Sequence, residues 1–227
     1  YAGSAALDSI ASMNTSNLLK NSCGYIYEEQ KDPATGSPTG LYEFFDWEVE
    51  NTEYLFPVNE RYTQKNNVGN EVSVVDGTVS KHAFMMGGDT ATSAKPSITQ
   101  TVDVATSEGV VQPFTLKFLI KGISNTQTST IKNGIHLEIF EAGNQEDISV
   151  DIPYTRTDGD WQQVKYTIYT EMRQVTITLK NISTITVDEN GLPTNGVIYL
   201  SDLMLTSGKD TPAWTVSPGE VYNNYVT

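Results

Sequence analysis

From Phe114 onwards apolar and polar residues alternate with a period of two, the pattern of strands with one face buried. Phe114, Leu116, Phe118 and Ile120 point one way while Thr115, Lys117 and Lys121 point the other. Ile135, Leu137 and Ile139 alternate with His136 and Glu138 in the same manner. The period recurs in Ile148, Val150 and Ile152, in Val164, Tyr166 and Ile168, and in Val175, Ile177 and Leu179. A last segment carries Ile198 and Leu200, then Leu203 and Leu205, so its phase slips at Ser201-Asp202, which predicts a β-bulge there. Leu41 to Val49, Glu71 to Val75, Lys81 to Met86 and Ile98 to Val104 add further strands. The spacing predicts an all-β sandwich of about ten antiparallel strands.

The rest of the chain is less periodic. Ala5, Ala6, Leu7, Ile10 and Ala11 have helix-like spacing, but the run is too short to stand alone, and residues 1–16 read as a connector. The folded domain is expected over 17–221 and an exit segment over 222–227. Between Gly24 and Asn70, the turn-rich Lys31 to Gly40 precedes the aromatic Leu41-Tyr42-Glu43-Phe44-Phe45-Asp46-Trp47-Glu48-Val49. Long loops inside a compact domain often carry function, so a binding surface is expected in this region. The chain opens on Tyr1 rather than Met, as expected of a piece of a longer polypeptide.

Composition narrows the function. The 227 residues carry 28 acidic against 14 basic side chains, a net charge of -14, so the field repels phosphate backbones and anionic lipid, and neither nucleic acid nor membrane is an expected partner. Cys23 is the single cysteine, which excludes an internal disulfide and cysteine-based zinc sites. His82 and His136 are the two histidines; each falls on a separate predicted strand, and no nucleophile motif surrounds either. Glu48 and Glu50 form a carboxylate pair on one strand face, a pairing that 28 acidic residues produce by chance. The reading is therefore not an enzyme.

Several short pieces, taken in order, resemble carbohydrate-binding jelly rolls and related modules of phage tail proteins. Asn17-Leu18-Leu19-Lys20-Asn21-Ser22 looks like the opening strand, and Ser97-Ile98-Thr99-Gln100-Thr101-Val102 like the ligand-associated central strand. Phe114 to Gly122 is similar to the strand that follows, Gly159-Asp160-Trp161 to a Gly-x-Trp strand start, and Val197 to Leu205 to the closing strand. Asp210-Thr211-Pro212-Ala213-Trp214-Thr215-Val216-Ser217-Pro218-Gly219-Glu220 looks like the exit sequence of phage tail modules. The resemblance implies binding of cell-surface polysaccharide or assembly with other virion subunits, possible homo-oligomers among them, in a virion tail or outside the cell. It leaves three readings: a host-recognition module, a structural virion module that binds no sugar, and an accessory module of a secreted glycoside hydrolase. It also implies a structural calcium, for which Asn21 and Asp202 are the candidate ligands, although Ser22-Cys23-Gly24 supplies no carboxylate.

Sugars are held by stacking an apolar ring face on an aromatic side chain while polar groups take the hydroxyls. By location Tyr42, Phe44, Trp47, Tyr54 and Tyr62 are the candidate ring contacts, with Gln100 as a candidate polar contact. Trp161, which opens a regular strand, is expected in the core. Trp214 is expected to pin the exit segment to the domain. Asp188-Glu189-Asn190-Gly191 lacks the ligand pattern of an EF-hand and reads as a hairpin turn.

Overall fold

The computed structural model describes residues 16–66, 68–104, 110–141, 145–171 and 173–220, with backbone alone at 145–147. The helix-like run before Asn14 and the exit segment 222–227 lie outside the described residues. Strands β1 (Tyr27–Lys31) and β2 (Pro38–Phe44) form a ribbon, and β3 (Glu48–Glu50) leads through a 3-10 turn at Thr52–Tyr54 into β4 (Leu55–Asn59). A second ribbon, β5 (Thr63–Lys65) and β6 (Glu71–Ser73), precedes the long strands β7 (His82–Met86), β8 (Ser97–Asp103), β9 (Gln112–Gly122), β10 (Gly134–Glu141), β11 (Gln145–Pro153), β12 (Gln162–Thr170) and β13 (Gln174–Asn181). A third small ribbon, β14 (Thr186–Val187) and β15 (Pro193–Asn195), leads to β16 (Ile198–Ser207).

Two five-stranded antiparallel sheets face each other as a jelly-roll sandwich. The first has the order β11-β10-β13-β8-β3 and the second β12-β9-β16-β7-β4. The apolar halves of the alternating segments meet between them: Phe114, Leu116, Phe118 and Ile120 of β9 pack with Ile135, Leu137 and Ile139 of β10 and with Val175, Ile177 and Leu179 of β13. The predicted bulge is present. Against β9, Ser201 pairs with Leu119 and Met204 with Lys117, so β16 spends one extra residue. Asp202 there takes a φ of 51, and its carboxylate accepts the amides of Val79 at 2.7 Å and Ser80 at 3.0 Å. The slip is what lets Leu200, Leu203 and Leu205 all reach the same core.

Three expectations change. The stretch from Leu41 to Val49 is not one strand: it breaks after Phe44, where Asp46 adopts a φ of 67 and the Phe45 amide bonds back to the Ile26 carbonyl at 3.1 Å. Glu71 to Ser73 belongs to a ribbon, and β4 takes its place in the sandwich. Asn17 to Ser22 forms no strand, because the buried Asn17 side chain makes the bonds a ladder would make. Its Oδ1 accepts the amides of Leu19 and Leu205, and its Nδ2 donates to the Leu203 and Thr215 carbonyls.

The second sheet also departs from the expectation of one wet face. On β9 Thr115 is fully buried and Lys121 nearly so. A second apolar cluster, built on Trp161, Val58, Val74, Val75, Val197 and Tyr199, lies on this outer face. Trp161 stands just ahead of β12, donates its indole N–H to the Asp76 carbonyl at 3.0 Å and is core, as its sequence context predicts. Lys121 places its ammonium 5.7 Å from the centre of that indole ring.

Candidate functional site

The covered outer face opens, at its β4 side, into a cleft of about 440 Å³, inside the about 300–1,000 Å³ range of small-molecule sites. Strand register builds its floor. Phe56 of β4 lies opposite Met85 of β7, which lies opposite Tyr199 of β16, so three large side chains form one row. Tyr54 ends the 3-10 turn, held by its amide on the Asn51 carbonyl (3.1 Å) and by its own carbonyl on the Gly87 amide (2.9 Å). Tyr62 enters β5, and the Val74 amide on its carbonyl fixes it over the sheet with its ring 6.4 Å from that of Tyr199.

The opposite wall comes from the β14–β15 side. Ile185 sits between two glycines: a Cβ at Gly88 would stand 2.9 Å from its Cγ1, and one at Gly196 2.6 Å from its Cδ1. Gly196 also has a φ of 104, so both the space and the backbone there call for glycine. The hairpin turn at Asp188 forms as expected. Its carboxylate accepts the amides of Asn190 and Leu192 and is spent within the turn.

Polar groups at the cleft are few. Gln64, Asp89 and Thr90 line it together with the rings of Tyr54, Phe56, Tyr62 and Tyr199, and among the described residues no basic side chain does. Asp89 accepts the Thr92 hydroxyl at 2.6 Å and the Ala91 amide at 3.0 Å, bonds that hold its carboxyl below the usual range. The Tyr54 phenol stands beside it. Burial, then the nearby carboxylates of Asp89 and Glu53, raise that phenol. Burial, then proximity to and a hydrogen bond with Tyr62, push the Tyr199 phenol far up. A second hollow of about 530 Å³ shares Gln64 and Ile123 with the cleft and is lined further by Lys121 and Asp158.

The predicted ring contacts divide. Tyr54 and Tyr62 come together in the cleft. Tyr42 stands beside it, its ring 6.3 Å from Phe56 and 5.8 Å from Tyr27, half-buried against the main core. Phe44 and Trp47 are corrected to core. Phe44 is 2% exposed with its ring 5.1 Å from Phe84, and Trp47 is 7% exposed, its indole N–H donated to the Asn21 carbonyl at 2.9 Å. Gln100 does not line the cleft but a separate hollow of about 260 Å³ with Lys20, Asp46 and Asp103. Its amide accepts the Lys20 N–H at 2.8 Å and donates to the Lys20 carbonyl at 2.9 Å, tying the entering chain to β8.

The calcium candidates are likewise engaged in the protein. Asn21 bonds the amide of Ile26 and the carbonyls of Ile26 and Phe45, and Asp202 is taken by two amides and the Ser201 hydroxyl. Among the described residues no group of three or more His, Cys, Asp or Glu side chains could hold a metal. Phe56 was missed as a ring of the cleft, and Tyr199, 2% exposed, lies beneath it in the covered cluster. The signal was there in Tyr199, an aromatic on the polar phase of a strand whose neighbours Ile198 and Leu200 face the core.

The first sheet's outer face carries a different cluster. His136 Nδ1 lies 2.6 Å from Asp151, and its Nε2 lies 3.1 Å from the Ser149 hydroxyl and 3.2 Å from Glu138. Glu138 shares the nitrogen that would have to serve Ser149 as base, and all four lie on adjacent paired strands, so the arrangement is a tie between β10 and β11.

No protein-family model matches the chain, and no curated protein matches it. Solved structures do match. The carbohydrate-binding module TmCBM61, solved in complex with β-1,4-galactotriose, is 18% identical over 85% of this chain and 99% of its own, with a TM-score of 0.50. A Stig cyclase from Fischerella sp. TAU is 11% identical over 86% of this chain and 98% of its own (TM-score 0.48). The enzymatically active domain of tailspike protein 4 of bacteriophage CBA120 is 14% identical over 85% of this chain and 21% of its own (TM-score 0.43). At such identities the likeness concerns the fold.

Proposed function

We propose that the chain is a non-catalytic carbohydrate-binding module whose site is the cleft over Phe56, Met85 and Tyr199. The observation that carries this reading is the convergence of three accessible aromatic rings, Tyr54, Phe56 and Tyr62, over the buried Tyr199, with Gln64, Asp89 and Thr90 in one open cleft, the combination that holds a sugar by stacking and hydroxyl bonding. The sandwich it shares with carbohydrate-binding modules is consistent with that role. In this reading the ligand is cell-surface polysaccharide, bound weakly per site and strengthened by multiple copies. The exit sequence from Asp210 to Glu220, similar to that of phage tail modules, supports a place in a virion tail beside other subunits.

The test is retention of the domain, presented multivalently, on a panel of bacterial surface glycans. Saturable binding by the native domain that a folded Tyr54→Ala variant loses supports the reading. A folded, multivalent domain that retains no glycan makes a purely structural module the better account.

A further inference from the structure

The two walls of the cleft offer a sugar different things. One is aromatic, with phenol groups at its edge. The other is aliphatic: Ile185, Val187 and Pro193 form it, Met85 and Val197 lie at its foot and Ile123 stands at the rim. Val187 is 44% and Ile123 36% exposed, so this wall faces water when the cleft is empty. A hydroxymethyl group pressed against such a wall loses its water and finds no partner, whereas a methyl group gains by being covered. Charge points the same way. Asp89 is the charged side chain among those lining the cleft, and the chain carries a net charge of -14, so a carboxylate on the ligand meets an acidic group and, among the described residues, no cation within the cleft itself.

We propose that the cleft selects neutral glycans carrying 6-deoxyhexose residues, the methyl group seated on the Ile185 and Val187 wall. This rests on the carbohydrate-binding reading of the same site and adds a ligand class to it. The ring of the sugar lies against Tyr62 and Tyr54, and its ring hydroxyls reach Gln64 and Asp89.

The experiment uses the full chain and two matched ligand series, the methyl glycosides of D-fucose, D-galactose and D-galacturonate and those of L-rhamnose and L-mannose, read by titration. An array of bacterial glycans with and without 6-deoxyhexoses runs beside it. The deoxy member of at least one series is expected to bind about fourfold tighter than its hydroxymethyl partner, the worth of one buried methyl, with the uronate weakest. Val187→Asn combined with Ile123→Ser is expected to erase that preference, bringing the deoxy and hydroxymethyl members of each series to within about 1.5-fold of each other. Equal or tighter binding of the hydroxymethyl sugars, or array hits confined to glycans without 6-deoxyhexoses, overturns the selectivity and leaves carbohydrate binding standing. A folded chain that binds no glycan in either format overturns both.

Discussion

The two sheets of the sandwich turn opposite kinds of outer face to their surroundings. The first presents Thr99 and Thr101 bonded to Thr178 and Thr176 across the β8–β13 pair, with His136, Glu138 and Asp151 beyond. Its polar side chains satisfy one another and water. The second places Phe56, Met85, Leu119 and Tyr199 at equivalent outward positions, and these would be costly left bare. The β5–β6 ribbon and the Trp161 turn cover part of that face, and where the cover stops the cleft begins. A jelly roll thus acquires a concave apolar site by adding short ribbons over one sheet, with the sandwich itself unaltered.

Substitutions can break this contrast. The largest effect is expected from Trp161→Ala, which removes the centre of the covering cluster. A loss of about 3–5 kcal/mol in denaturant unfolding is expected, and the same change at exposed Thr101 should cost less than about 0.5 kcal/mol. Next is Tyr62→Ala, which takes a 41% exposed ring from over the cleft; glycan affinity should fall at least about tenfold, about 1.4 kcal/mol, with the fold intact by circular dichroism.

A smaller, pH-dependent effect concerns Tyr199. Its phenol is raised in the folded state, so the stability it contributes is complete below the free-tyrosine value of about 10 and is lost progressively as pH climbs from there towards its own higher value. Phenolate absorbance near about pH 11 should therefore be the same in the native chain and in Tyr199→Phe, and a drop in the variant would show that the phenol is not held. The smallest effect belongs to the polar face: Thr178→Ala and Glu138→Gln should leave glycan binding within about twofold of native, a change of less than about 0.5 kcal/mol.

Periodicity made the inner faces of β9, β10, β13 and β16 legible, down to the bulge at Ser201-Asp202, because burial between two sheets imposes a strict period of two. It did not separate Phe44 and Trp47 from Tyr54 and Tyr62. All four are aromatics in the irregular third of the chain, and their fates turn on the break at Asp46 and on which ribbon folds over which sheet. Those are long-range pairings with no local signature. Gln100 and Asn17 show the same limit. Both are polar residues in apolar surroundings, and what they bond, the Lys20 backbone and the bulged part of β16, is distant in sequence.

The anchoring of Asn17 bears on how the domain would carry mechanical load. Asn17 bonds the Thr215 carbonyl, the Asn21 amide bonds Glu220, and the Trp214 indole bonds Ser22, so the chain enters and leaves at one place. Tension between the two ends would fall on these few bonds and peel the segment from Gly208 to Glu220 away first. Asn17 and Leu18 also bond Leu203 and Leu205, so part of the load on the entering segment passes straight to the bulged part of β16.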